Sequence, residues 1–267
     1  MNASDQAGQK PVNITGLWLQ NLSRPEFFER FRDGVVYPLN VDVVMKSRHD
    51  PDLRQALQEA ELLICDSQII LTSSRFLGTP FKDRLSGSDL LGEFCIHHRD
   101  DPSVSLFLLG AAPGVAAEAG RRINIRTGRD IVIGTHSPSF RFEHNADERE
   151  QVLAMVRESG ATYLVVALGV PKQEKFIAQN RAALPGIRGF MAVGATLDFE
   201  AGRVRRAPAW MSRNGLEWFF RLMSEPRRLS RRYLVENPPF LWLIFRQRFG
   251  LGKDAGDNHE RTSRTPR

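Results

Sequence analysis

Residues 163–176, Tyr-Leu-Val-Val-Ala-Leu-Gly-Val-Pro-Lys-Gln-Glu-Lys-Phe, decide how the fold is read. The run is apolar on both faces and is closed by glycine, which suits a strand of a parallel sheet covered on both sides. The proline then opens a helix, with Lys172 and Gln173 in its first turn. The run LFLLG, ending at Gly110, repeats the pattern upstream. Working outward, similar short apolar runs closed by Gly, Asp or Pro predict strands at 35–37, 62–65, 105–109, 131–135, 163–168 and 189–193. Helical stretches lie between them at 41–48, 87–97, 113–126, 147–159 and 173–182. The expected fold class is α/β, a Rossmann-like layered parallel sheet with helices on both faces.

Composition agrees. With 267 residues, 42% apolar and 25% charged, the chain can bury a sizeable core, which excludes disorder, collagen-like repeats and coiled coil. The charge is unevenly spread: residues 1–202 carry a net −3, whereas 203–250 hold 11 Arg and 3 Glu, a net +8. Such a module points to phosphates or an anionic membrane surface. Four units are therefore expected: a loose N-terminus at 1–11, a catalytic domain at 12–202, an Arg-rich helical appendage at 203–250 and a disordered tail at 251–267. In the appendage Leu216, Phe219, Phe220 and Met223 recur at helical spacing, and prolines at 226, 238 and 239 break the helices.

Cys65 and Cys95 form no CxxC or Cys/His cluster, so the thiols read as reduced and intracellular. The first 16 residues lack the basic start and apolar stretch of a secretory signal. The longest fully apolar run, 240–245, falls far short of the roughly 20 residues that a spanning helix needs. A cytoplasmic protein that can lie on a membrane is the expectation.

Ligands of open parallel sheets bind beyond the carboxyl ends of the strands, which singles out four places. Asn40 follows one strand and Asp66 the next. Asp66 could act as a general base or simply close its strand with an Asx turn. Gly110–Gly114, in LGAAPG, resembles a strand-to-helix turn whose free N–H groups favour a phosphate or uracil-like acceptor, although it is not GxGxxG. Gln173 could bond a sugar hydroxyl or phosphate, or merely support its helix N-terminus. Arg84 is either an anion clamp or a partner for Asp83 or Asp89. Asp50-Pro51-Asp52 matches the DxD pattern of metal-using sugar transferases, but Asp50 sits where an N-cap belongs, so no metal or other cofactor is expected. No GxSxG or HExxH is present.

Three blocks then become specific together: LGTPFKDRLSGSDLL, VALGVPKQEKFI and VGATLDFEAGRVRRAPAWMSRNGLEWFFRLMSEPRRLSRRY. In this order they resemble the bacterial N-acetylmannosaminyltransferase family labelled WecG/TagA/CpsF, from about residue 40 to 249. The resemblance implies an inverting, metal-independent transfer from a UDP-sugar to a polyprenyl-diphosphate-linked saccharide at the cytoplasmic membrane face. It gives Asp66 the place of the catalytic base, Asn40 and Arg84 polar positions in the cleft, and Gln173 a substrate contact. Arg213, Arg221 and Arg228 fall among the basic positions that close over a diphosphate. Two departures stand out: Asp66-Ser67 replaces the usual Asp-Gly, and Pro38 replaces a threonine. Donors of the UDP-ManNAc type and UDP-glucose both fit.

The arginines beside Trp218, Phe219, Phe220, Trp242 and Phe245 suit a headgroup interface. Exposed apolar helix faces also leave room for a homo-oligomer. A nucleic-acid-binding reading of the same module predicts salt-sensitive binding to DNA or RNA, but it gives PKQE and Asp66 no role, so no nucleic-acid partner is expected. A nucleotide-dependent oxidoreductase would need the GxGxxG and ribose acid that the chain lacks.

Overall fold

The computed structural model of the 267-residue chain describes residues 10–204, 207–208, 211 and 217–251. The expectations for the first nine residues and for the tail beyond Leu251 lie outside them.

The chain opens with a short antiparallel hairpin, β1 (Val12–Ile14) and β2 (Leu17–Leu19), and a helix α1 (Arg24–Arg30). The Glu26 carboxylate accepts from the Ser23 N–H at 2.7 Å, and Pro25 lies in the first turn, so α1 begins on a capping signal. Six strands follow: β3 (Gly34–Leu39), β4 (Leu62–Cys65), β5 (Leu106–Gly110), β6 (Val132–His136), β7 (Tyr163–Ala167) and β8 (Gly189–Ala192). They form one sheet in the order β4-β3-β8-β7-β5-β6, every pair parallel. Between them run α2 (Val41–Ser47), α3 (Pro51–Gln58), α4 (Gln68–Phe76), α5 (Gly87–His97), α6 (Val115–Thr127), α7 (Ala146–Glu158) and α8 (Lys172–Asn180). A short helix α9 (Thr196–Glu200) follows β8. The Rossmann-like layered reading is correct, and each expected strand lies within two residues of its place.

Strand β7 shows why its sequence has no polar face. Leu164 and Val166 point into one core layer, with Tyr37, Leu39, Cys65 and Phe190; Tyr163, Val165 and Ala167 point into the other, with Phe31, Val36, Phe94 and Met191. Alternation of side chains along a strand sends successive residues to opposite faces, and both faces are covered. Gly189 on β8 permits a close contact in the second layer. A Cβ there would stand 2.4 Å from the Tyr163 ring.

After α9 the described chain resumes as three helical pieces: α10 (Glu217–Ser224), α11 (Pro226–Arg231) continuing into a π-helical turn Arg232–Glu236, and α12 (Pro239–Arg248). The breaks fall at the expected prolines. In packing terms the last helix is part of the body, because Phe240 and Ile244 are buried in the first core layer. Gln247 ties it to the opening hairpin: its Oε1 accepts from Thr15 N at 2.9 Å and its Nε2 donates to Asn13 O at 2.9 Å. The opposite face of α12 leaves Leu241, Trp242 and Phe245 exposed.

Because Phe240 is fully buried, Phe240→Ala is expected to lower unfolding stability by about 3–5 kcal/mol, the usual cost of emptying an aromatic core site. Urea denaturation measures it, and a loss under about 1 kcal/mol would contradict the packing of α12 as a core element.

Candidate functional site

A cavity of about 490 Å³ opens at the carboxyl ends of β4, β3, β8 and β7, where the strand order makes a switch point. Each of these strands contributes through the residues that follow it: Asp66 and Ser67 after β4, Asn40 and Asp42 after β3, Val193–Thr196 after β8, Gly169 and Gln173 after β7. The loop before α5 adds Arg84 and Ser86, the first residue of α5 adds Gly87, and the C-terminal segment covers the other side with Trp218, Arg231, Arg232 and Tyr233.

Asp66 is held at its strand end from two directions. Its N–H donates to Leu39 O at 3.0 Å, and its Oδ1 accepts from Gly87 N at 2.9 Å. The second bond joins the carboxylate to the start of α5 and fixes its orientation. Beside it the buried Cys65 thiol is pushed up to about 12, first by burial and then by the Asp66 charge. The residue after Asp66 does not call for glycine: Ser67 has φ −107°, and its hydroxyl caps α4 by accepting from Ile69 N at 3.2 Å. Pro38 lines the same cavity.

Asn40 is the N-cap of α2, its Oδ1 accepting from Asp42 N at 3.1 Å and Val43 N at 3.3 Å. The same oxygen accepts from Arg232 Nη2 at 3.3 Å. Arg84 lies on the cavity wall, while its neighbour Asp83 accepts from Arg24 N at 3.0 Å.

Gln173 is buried at the cavity floor, and its amide is committed to the protein itself. Oε1 accepts from Gly194 N at 3.0 Å and Gly169 N at 3.3 Å, tying together the loops that follow β8 and β7. Nε2 donates to Glu174 Oε1 at 2.8 Å. Glu174 is 2% exposed, and its Oε2 has no hydrogen-bond partner. Burial pushes its carboxyl up to about 7, against the lowering effect of the Gln173 bond. Its carbonyl accepts from the buried Tyr37 hydroxyl at 3.1 Å.

The remaining expectations divide. Gly110 is not brought to the cavity. It lies buried against β7 with φ +112°, where a Cβ would stand 2.5 Å from Ala167 O, so glycine is required there by close packing. Arg213 lies outside the described residues, as do the side chains of Arg221 on α10 and Arg228 on α11. Asp50 caps α3 by accepting from Leu53 N at 3.1 Å. Lys175 pairs with both Asp50, at 2.8 Å, and Asp52, at 3.3 Å, so the DxD pattern is a cap with a neutralising lysine. Among the described residues, no three His, Cys, Asp or Glu side chains cluster to hold a metal ion.

Sequence reasoning did not single out Asp42 and Lys46 and gave Arg231 and Arg232 no site role, yet all four line the cavity. Asp42 and Lys46 stand one turn apart on α2, and that spacing was the only local signal.

The Gln173–Glu174 pair gives a pH test. A carboxyl whose folded pKa is raised stabilises fully only below its unfolded pKa, and that contribution is lost as pH rises through the folded value near 7. From the ordinary carboxylate range toward pH 7, Glu174 should therefore cost the wild-type protein up to about 1.4 kcal/mol of stability per pH unit. Glu174→Gln should flatten that part of the profile. Urea melts of both proteins across this range check it, and parallel profiles would contradict a buried, raised Glu174.

One comparison bears on what the cavity serves. The chain matches the model of the Glycosyl transferase WecG/TagA/CpsF family over residues 12–254, nearly its whole length. That span takes in every strand of the sheet, each described wall of the cavity and the C-terminal helices. The protein thus belongs to the WecG/TagA/CpsF family of glycosyl transferases, a family of cell-surface polysaccharide synthesis.

Proposed function

We propose that this protein transfers a hexose or N-acetylhexosamine from a UDP-sugar, of the UDP-ManNAc type or UDP-glucose, to a polyprenyl-diphosphate-linked saccharide. The reaction inverts the anomeric centre and uses no metal cofactor. The observation that carries this reading is the lining of one cavity: the Asp66 carboxylate faces into it together with Arg84, Arg231 and Arg232, cations drawn from distant parts of the chain.

In this reading Asp66 takes the proton of the acceptor hydroxyl as that oxygen bonds to the anomeric carbon. The bond from that carbon to the diphosphate oxygen breaks on the opposite face, and the electron pair leaves with UDP. Oδ1 is engaged by the Gly87 N–H, which leaves Oδ2 for the incoming proton. The charge growing on the leaving diphosphate needs positive groups already in place, and guanidinium forks suit phosphate oxygens. Such preorganised charge commonly contributes a few kcal/mol, or on the order of 10²–10³ in rate, per group. Arg213, Arg221 and Arg228 join this set in the proposal. Trp218 and Tyr233, with ring centroids 5.9 Å apart at the cavity, offer flat surfaces for a base or sugar ring.

The acceptor's lipid stays in a bilayer, so the enzyme must come to its surface. None of the helices among the described residues is long and apolar enough to cross a membrane. Instead α12 and its end carry exposed Leu241, Trp242, Phe245 and Phe249, with Phe76 6.4 Å from the Phe249 ring, and Arg246 and Arg248 in the last turn. Apolar side chains flanked by cations suit a peripheral site on the inner, anionic leaflet. The same faces could instead pair copies of the chain.

Asp66→Asn is expected to retain UDP binding while turnover on a membrane-bound acceptor falls by roughly 10² or more. A screen of UDP-sugars with acceptor-containing membranes, run with and without a chelator, measures it. Near-wild-type turnover removes Asp66 from the role of base, and collapse on chelation overturns the cation-free chemistry.

A further inference from the structure

We propose that Asp42 is a positioning residue whose buried carboxylate latches the C-terminal basic segment onto the cleft through Arg232. This deepens the donor-site reading given above and rests on it.

Asp42 is the second residue of α2 and is only 2% exposed. Its two oxygens face two cations from different parts of the chain: Oδ2 lies 3.0 Å from Lys46 Nζ, and Oδ1 lies 3.4 Å from Arg232 Nε. Lys46 Nζ also donates to Val170 O at 3.4 Å, in the loop after β7. Arg232 Nη2 donates to Asn40 Oδ1 at 3.3 Å, a contact across 192 residues of sequence. One carboxylate thus joins α2, the β7 loop and the π-helical turn that Arg232 opens. Helical irregularities of this kind recur at functional sites.

The charge balance matters as much as the geometry. Lys46 and Arg232 both line the cavity and would repel each other without a carboxylate between them. With Asp42 in place the corner retains one net positive charge, so it can still receive a diphosphate. The Arg232 guanidinium is also unsaturated, its buried Nε having no hydrogen-bond partner. Arg231 differs from its neighbour, because it pairs within its own segment, with Glu236 at 3.0 Å, and its side chain is 83% exposed. Of the two adjacent arginines, only Arg232 forms an ion pair with the body among the described residues. A buried carboxylate that keeps one partner and loses the other is costly, so closure of the segment and pairing of Asp42 should be coupled.

The test uses the full chain with Asp42→Asn, Arg232→Gln, the double variant and Arg232→Lys, read by hydrogen exchange and by UDP binding. Each of the first two should speed amide exchange in 226–236 and weaken UDP binding by about tenfold or more, the size of one lost charge-assisted contact. The double variant should be no worse than either single, because both remove the same latch. Arg232→Lys should restore part of both losses. Should Asp42→Asn fail to fold, Arg232→Gln carries the test, with exchange slow in α2 and fast in 226–236. Unchanged exchange in 226–236, unchanged UDP affinity, or additive losses in the double variant overturns the latch. These results leave the donor-site reading standing as long as the wild-type protein binds UDP, whereas a wild type that does not bind UDP overturns that reading itself.

Discussion

Four parallel strands lying side by side, β4, β3, β8 and β7, are the constraint on which the site depends. Parallel pairing sends all their carboxyl ends to one edge, so residues from 40 to 196 meet around one opening. Gln173 ties two of the loops at that edge together. Its buried oxygen receives N–H groups from the loops after β7 and β8 and so holds the two loops to one acceptor. The cavity floor is therefore a hydrogen-bonded unit, and Asp66 stands at the end of β4, beyond β3, fixed by its own bond to Gly87.

The basic C-terminal region closes the opposite wall, and its design is divided along its length. The final helix uses one face to enter the core through Phe240 and Ile244 and turns another, with Trp242 and Phe245, to solvent. The segment just before it reaches the cleft through Arg231, Arg232 and Tyr233. A single stretch can thus join the core, the cavity and an exposed apolar surface. In the proposed function that continuity places the cleft near the bilayer that holds its acceptor.

Much of this was legible in the sequence. Short apolar strands buried on both faces carry a strong signal, and β7 is one of them; residues that directly follow such strands, Asn40, Asp66 and Gln173, were found because the topology fixes where they go. The opening hairpin was not found, since strands of three residues show no usable periodicity. Gly110 was misplaced as a candidate because glycine after a strand can serve either ligand approach or strand packing, and the 2.5 Å gap to Ala167 O decides for packing. Gln173 had two readings, and its amide proves to hold loops together within the fold. The Asp42–Arg232 pair escaped notice because it depends on how the C-terminal turn docks, which no local spacing encodes.

The central claim is a single displacement at one carbon, driven by one carboxylate with cations around the leaving diphosphate. The most direct measurement is the anomeric configuration of the new linkage, read by proton NMR on the product of a UDP-sugar of known configuration. Inversion at every turnover is the predicted result. A product that keeps the donor's configuration would require a second displacement, and it would contradict the account.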